Sequence, residues 1–143
     1  NMDAQARING AREAAPVLNA FIDQQLAKYG LGEDRLALVG FSQGTMMALQ
    51  VGLRRSPQVA GILGYSGMLV DETGLDSTKV KPPILLIHGD ADPMVPVAAL
   101  HHAGATLQKL GFEVGGHVSP GLGHSIDMEG LQMGGNFLHK FLA

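Results

Sequence analysis

The sequence contains no cysteine, carries little net charge and has no apolar run long enough to span a membrane. Without cysteine there is no disulfide, no thiol catalysis and no metal held by thiolates. The net charge of −3 gives no reason to expect a nucleic-acid partner. A spanning helix needs about 20 apolar residues, so no stable membrane insertion is expected. The 143 residues suffice for one hydrophobic core but not for two domains.

Short apolar runs alternate with amphipathic stretches along the chain. Apolar residues at three- and four-residue steps predict a first helix over residues 3–29, which Pro16 should kink or break. Residues 71–83 are polar and interrupted by glycine and proline, which predicts a surface loop. The remaining predicted strands are 35–39, 59–65, 84–88 and 112–119, and the remaining helices are 43–55, 97–110 and 125–142. This alternation predicts a mostly parallel α/β sheet with helices on both faces and strands buried on both sides.

Residues 40–44 read GFSQG and lie between the first predicted strand and the helix that follows it. A G-x-S-x-G motif between strand and helix is typical of the nucleophile elbow of α/β-hydrolases. We expect glycine at 40 and 44 to remove Cβ atoms that would clash in so tight a turn. The alternative is that Ser42 only caps the following helix.

Two further polar residues follow predicted strands in the order of that fold, an acid and then a histidine. Ser42, Asp92 and His124 each lie just beyond the carboxyl end of a strand, so their loops should meet at one edge of the sheet. A serine hydroxyl needs a base near neutral pH, and a histidine needs an acid to fix its tautomer. Asp90 in the same loop is the competing acid, or a brace for the turn.

The other five histidines are interpreted as structural or solvated, because only His124 lies in a glycine-rich loop at this edge. They are His88, His101, His102, His117 and His139. Adjacent positions on a helix point about 100° apart, which makes His101 and His102 a poor metal-binding pair. No metal site and no cofactor are expected. Ser66-Gly67 lacks the second glycine of the elbow and is interpreted as part of a pocket loop.

Three linked motifs make the sequence similar to the phospholipase/carboxylesterase family of α/β-hydrolases, which includes acyl-protein thioesterases. They are GFSQG at 40–44, HGDADPMVP at 88–96 and GLGHS at 121–125. The resemblance implies that Ser42 is the nucleophile, His124 the general base and acid, and Asp92 the orienting carboxylate. It also implies that the backbone N–H of Gln43 is one oxyanion-hole donor.

The sequence departs from the family pattern in two respects. The family's second oxyanion donor and early pocket loop lie upstream of the elbow, and these segments are not in this sequence. Where the family often has a tryptophan after a serine-glycine or serine-cysteine pair, this chain has Met68 after Ser66-Gly67. We therefore expect residues 1–143 to be the C-terminal part of a single α/β-hydrolase domain whose N-terminal strands precede this sequence.

The expected function is a serine carboxylesterase acting on carboxylic esters, including thioesters or lysophospholipids, through an acyl-enzyme. Loop positions beside the serine and the acid assign Met68, Leu69, Met94 and Val95 to the acyl pocket. The alternatives are a hydrolase of lactones or peptides, and a non-catalytic scaffold or binding fragment. The expected partners are a small ester or acyl substrate and the upstream segment of the same domain, with a homodimer left open. A cytoplasmic location is the default expectation.

Overall fold

A long helix opens the part of the chain that the computed structural model describes, which is residues 3–143. Helix α1 spans Ala4–Tyr29, and the Asp3 side chain caps it by accepting a 2.8 Å hydrogen bond from the Ala6 N–H. Gly30 ends the helix at a φ of 64°, a conformation that favours glycine. The helix continues through Pro16, so the predicted break is wrong. Pro16 is exposed, and water there can bind the carbonyl that has lost its N–H partner.

The remaining elements alternate strand and helix, as the sequence predicts. A single 3-10 turn, Glu33–Arg35, precedes them. In chain order they are β1 (Ala37–Phe41), α2 (Gln43–Gly52), β2 (Gly61–Tyr65), β3 (Ile84–Gly89), α3 (Ala98–Lys109), β4 (Val114–Ser119) and α4 (Met128–Leu142). All strand pairings are parallel, in the order β1-β2-β3-β4, so every carboxyl end lies at the same edge of the sheet. Within residues 3–143, no helix is both long and apolar enough to cross a membrane.

Helices cover the two faces of the sheet unequally. Helices α2 and α3 pack on one face, where the main core includes Leu49, Ile62 and Leu107. Helix α4 packs on the other face against Leu63, Tyr65 and Ile87. Helix α1 lies on α2 rather than directly on the sheet. The α/β layering therefore holds the loops after β1, β3 and β4 side by side.

Several element limits differ from the predicted ones by a few residues. Strand β1 begins at Ala37 rather than at residue 35, because residues 33–35 form the 3-10 turn. Helix α4 begins at Met128 rather than at residue 125, because Asp127 caps it and accepts a 2.8 Å hydrogen bond from the Gly130 N–H. Helix α2 ends at Gly52 rather than at residue 55.

Two predictions about burial are wrong. Strand β1 is apolar, yet Val39 is 55% exposed and Phe41 40% exposed. Among the described residues β1 pairs only with β2, and α4 does not extend over it.

The segment 71–83 is not simply a surface loop, since Asp71 and Leu75 are buried. Asp71 is buried because hydrogen bonds from Arg12, from Gln50 and from the Thr73 backbone surround its carboxylate.

Candidate active site

Ser42 occupies a sharp turn between β1 and α2, with backbone angles of φ 57° and ψ −116°. Positive φ is uncommon for a residue with a side chain and is often found at functional sites. The turn is held in place by its own backbone: the Ser42 N–H donates to the Tyr65 carbonyl at 2.9 Å, and the Ser42 carbonyl accepts from the Thr45 N–H at 3.0 Å. The hydroxyl therefore projects from a fixed position at the carboxyl edge of the sheet.

The two glycines of the motif play different parts. A Cβ atom at Gly40 would lie under 3.0 Å from backbone atoms of Gly44 and Thr45, so the turn requires glycine there. A Cβ atom at Gly44 would meet no heavy atom of the described residues within 4 Å. The expectation of a clash is thus met at Gly40 and wrong at Gly44.

The carboxylate of Asp92 lies buried in the loop after β3, with its side chain fully enclosed. Its Oδ1 atom accepts hydrogen bonds from the N–H groups of Met94 at 2.8 Å and Val95 at 2.9 Å. Burial alone would raise the pKa of Asp92. The hydrogen bonds from Val95, His124 and Met94 outweigh it and hold the pKa below its ordinary value. Asp92 is therefore an ionised hydrogen-bond acceptor at neutral pH.

His124 lies between this acid and the serine. Its Nδ1 atom is 2.7 Å from Asp92 Oδ2, and its Nε2 atom is 3.0 Å from Ser42 Oγ. An ionised carboxylate only accepts, so Nδ1 carries the proton and donates it, which leaves Nε2 of the neutral ring to accept the Ser42 hydroxyl. The three side chains thus form one directed chain of hydrogen bonds.

The competing acid, Asp90, faces elsewhere. It is exposed, and its Oδ1 atom accepts a 2.7 Å hydrogen bond from the Gly121 N–H. Asp90 therefore braces the β3 loop against the loop that carries His124, which is the turn-bracing alternative raised from the sequence. Ser66 also has a positive φ, of 53°, but it is buried and its Oγ lies 3.4 Å from the Ser125 carbonyl.

Two residues that shape the site were not identified from the sequence. The ring of Phe41 lies against that of His124, with centroids 4.8 Å apart and planes inclined by 49°. A Cβ atom at Gly89 would fall under 3.0 Å from the carbonyl oxygens of Leu122 and Gly123. Glycine at this strand end lets the His124 loop approach β3 closely, and the glycine in the HG pair of the second motif is the signal that could have indicated it.

Ser42 is the N-cap residue of α2, so the serine lies at the N-terminus of a helix. The first four N–H groups of a helix have no intrahelical acceptor, and the helix dipole adds partial positive charge there. Gln43 is the first residue of α2, so its backbone N–H is one of those that have no acceptor within the helix.

A comparison with protein families agrees with this geometry. The model of the phospholipase/carboxylesterase family matches residues 1–142. The chain belongs to the phospholipase/carboxylesterase family. Among curated relatives, acyl-protein thioesterase 1 of Gibberella zeae is 36% identical over 125 residues, covering 83% of this chain and 53% of that protein. The protein of the same name from Debaryomyces hansenii is 29% identical, covering 99% of this chain and 63% of that protein.

Solved structures of this family's fold superpose closely. Esterase PE8 matches with a TM-score of 0.94 and 43% identity, covering 99% of this chain and 66% of that one. SOBER1 of Arabidopsis thaliana matches with a TM-score of 0.82 and 26% identity, covering all of this chain and 68% of that one. The fold is that of the α/β-hydrolases. The chain spans roughly half to two thirds of the length of the relatives it matches.

The predicted acyl-pocket residues do not share one surface. Leu69 belongs to the main core and Val95 is buried, so neither side chain is exposed in this structure, and their assignment to the acyl pocket stays a prediction. Met68 is partly buried and lines a small cavity of about 10 Å³, whereas Met94 is 72% exposed beside the acid loop. Only Met94 is placed so that its side chain is freely available to a ligand.

The hydrogen bonds that join Ser42, His124 and Asp92 involve none of the other five histidines. His101, His102 and His139 are exposed, and His102 lies 3.1 Å from Glu72. Within residues 3–143, no cluster of three or more histidine and carboxylate side chains is arranged to hold a metal ion. His88 is buried and hydrogen-bonded, as the sequence interpretation expects.

Proposed function

We propose that Ser42 is the nucleophile of a hydrolase that cleaves carboxylic esters, including thioesters, through an acyl-enzyme. One observation carries the proposal: a continuous hydrogen-bonded path joins Ser42 Oγ, the two ring nitrogens of His124 and Asp92 Oδ2. A serine held at positive φ, a histidine in the accepting tautomer and a buried ionised carboxylate are the parts that nucleophilic catalysis requires.

The first half-reaction would transfer the acyl group to the serine. His124 Nε2 takes the hydroxyl proton as Ser42 Oγ bonds to the carbonyl carbon, and Asp92 stabilises the resulting imidazolium. The Gln43 N–H binds the oxyanion of the tetrahedral intermediate. The carbon–oxygen or carbon–sulfur bond then breaks, and His124 returns the proton to the departing alcohol or thiol.

The second half-reaction would release the acid. Water attacks the acyl-serine carbonyl while His124 Nε2 takes one of its protons. The bond to Ser42 Oγ breaks, the oxygen recovers its proton from His124, and a carboxylic acid leaves. No oxidation or reduction occurs, so this chemistry requires no redox cofactor.

Thioesters are included because of the relatives' names. Curated relatives that cover most of this chain are named acyl-protein thioesterase 1, and one from Mus musculus is named lysophospholipase-like protein 1. These names describe those proteins. For the present family member they support testing an oxygen ester and a thioester that carry the same acyl group.

The test measures intact mass before and after treatment with a fluorophosphonate, using the full-length protein. We expect one adduct on the wild type and none on Ser42→Ala, with Ser77→Ala as the control. Ser77 is an exposed serine far along the chain in the 71–83 segment, so its loss should leave the adduct and the hydrolysis rate unchanged. An adduct that persists in Ser42→Ala, or ester hydrolysis at the wild-type rate, would refute the proposal.

Substituting Asp92, the proposed orienting acid, gives a second test of the proposal. Asp92→Asn keeps the shape of the side chain but presents an amide that no longer fixes the donating tautomer of His124. In a serine hydrolase this change lowers kcat by about 10⁴-fold. Asp90→Asn is the matched control in the same loop, because the Asp90 side chain accepts from the Gly121 N–H whereas His124 bonds to Asp92. Equal losses in both variants would contradict the assignment of Asp92.

A further inference from the structure

His88 lies directly behind the acid loop and takes no part in the mechanism above. It is the fifth residue of β3, its side chain is 1% exposed, and it touches a small, mostly apolar cavity. Its Nε2 atom is 2.7 Å from the Val95 carbonyl oxygen and 3.5 Å from Asp92 Oδ2. Burying the polar ring of His88 in apolar surroundings costs free energy unless its N–H group has an acceptor, so the contact with the Val95 carbonyl is expected to be a hydrogen bond.

The partners of Nε2 fix which atom carries the proton. A backbone carbonyl and an ionised carboxylate both accept and neither donates. Nε2 of His88 is therefore protonated and donates its hydrogen bond to the Val95 carbonyl. The Val95 carbonyl requires a hydrogen-bond donor at Nε2 of His88, and a neutral imidazole ring supplies one.

The hydrogen bond between His88 and Val95 adds to those that surround the Asp92 carboxylate. The Val95 N–H donates to Asp92 Oδ1, while the Val95 carbonyl accepts from His88. The other carboxylate oxygen, Oδ2, accepts from His124. Val95 is thus held at both of its backbone polar groups, and the turn that aims the carboxylate cannot rotate without breaking the bond to His88.

We propose that His88 is a positioning residue that aims the Asp92 carboxylate at His124 by holding the Val95 carbonyl. The inference rests on the proposed function. Catalytic groups must be held within about 0.5 Å of their productive geometry, and a misplacement of about 1 Å can cost about 10²-fold in rate. His88 is hydrogen-bonded to Val95 and not to Ser42 or His124, so its effect on turnover should pass through Asp92.

The test compares His88→Gln with His88→Asn in the full-length protein, with His88→Leu as the apolar variant. The side-chain amide of glutamine reaches about as far as Nε2 of histidine and restores the donor. Asparagine carries the same amide one methylene shorter, too short to reach the Val95 carbonyl. Both are polar and of similar size, so a general loss of stability should affect them alike.

We expect His88→Asn and His88→Leu to differ from His88→Gln in turnover and in pH dependence. His88→Asn and His88→Leu should lose about 10- to 100-fold in kcat with little change in KM. In a plot of kcat/KM against pH, the fall in activity on the acid side should move to lower pH in these two variants. A misplaced Asp92 carboxylate stabilises the His124 imidazolium less well. His88→Gln should keep most of the wild-type kcat and an unshifted limb.

A spectroscopic readout makes the test independent of substrate. The low-field NMR signal of the proton between His124 and Asp92, identified by its loss in His124→Gln, should persist in His88→Gln and disappear in His88→Asn. If all folded His88 variants keep this signal and the wild-type pH profile, the inference is overturned. If the wild type itself shows no hydrolysis that depends on Ser42, the proposed function fails, while the NMR comparison still decides the role of His88.

Discussion

The hydroxyl of Tyr65 donates a 2.9 Å hydrogen bond to the carbonyl oxygen of Gly130, across the interface between β2 and α4. This side of α4 carries glycine where the tyrosine approaches. A Cβ atom at Gly134 would lie under 3.0 Å from the Tyr65 hydroxyl oxygen and from Leu63 Cδ2. Glycine lowers helix propensity, but at this position the close approach of Tyr65 leaves no room for a larger residue.

Replacing Gly134 should therefore destabilise the fold. We expect Gly134→Ala to lower the free energy of unfolding by about 1–3 kcal/mol through overpacking. Its neighbour is the matched control: a Cβ atom at Gly135 would meet nothing within 4 Å, so Gly135→Ala should be neutral or stabilise by about 0.5–1 kcal/mol. Urea unfolding of both variants measures the difference. Tyr65→Phe should reduce the cost of Gly134→Ala, and equal costs with and without the hydroxyl would contradict this explanation.

The two glycines of the elbow should respond in opposite ways. Gly40→Ala places a Cβ atom against the backbone of Gly44 and Thr45, which can yield only by moving Ser42. We expect it to lose at least about 10²-fold in the rate of fluorophosphonate adduct formation. Gly44→Ala should stay close to the wild-type rate, since its Cβ atom meets no described residue. Equal rates for the two variants would show that the motif's glycines are not distinguished by these contacts.

The buried carboxylate of Asp71 makes stability depend on acid pH. Burial would raise its pKa, but hydrogen bonds from Arg12, from the Thr73 N–H and hydroxyl and from Gln50 overcome that effect and hold the pKa well below its ordinary value. A carboxyl whose pKa is lower in the folded than in the unfolded state stabilises the fold fully above its unfolded pKa. That contribution is lost as the pH falls through the folded pKa.

We expect Asp71→Asn to lower the free energy of unfolding by about 1–3 kcal/mol at pH 7, since charged hydrogen bonds are lost from a buried site. The difference from the wild type should shrink as the pH falls below about 4, where the Asp71 carboxyl of the unfolded chain takes up a proton while that of the folded chain stays ionised. Urea unfolding at a series of pH values measures it. Asp76→Asn, on the exposed part of the same segment, is the control and should show no such trend. A difference that is constant with pH would contradict the role assigned to the Asp71 charge.

The fold class and the three residues of the hydrogen-bonded path were predictable because local patterns determine them. The strand, the tight turn and the helix around Ser42 follow from short-range sequence, and parallel strands place their carboxyl ends together. Glycine-rich loops then leave few positions where Asp92 and His124 can lie.

What the sequence did not reveal depends on contacts between distant segments. The burial of Asp71 requires Arg12, 59 residues away, and the exposure of Val39 depends on which helix covers β1. The part played by His88 depends on a backbone carbonyl, and the sequence does not show where a carbonyl points. The burial of Leu69 and Val95 likewise depends on tertiary packing, which a position in a loop does not indicate.

Ser42 and His124 are separated by 82 positions in the chain, yet their side chains are 3.0 Å apart. Every strand of the sheet must be paired before the two can meet, so their contact is among the most non-local in the molecule, and such contacts are slow to form. The reactivity of the serine should consequently appear only at the end of folding. A fluorophosphonate added at intervals during refolding would label only molecules whose sheet is fully assembled. The labelled fraction, plotted against time, would therefore give the rate at which the sheet assembles.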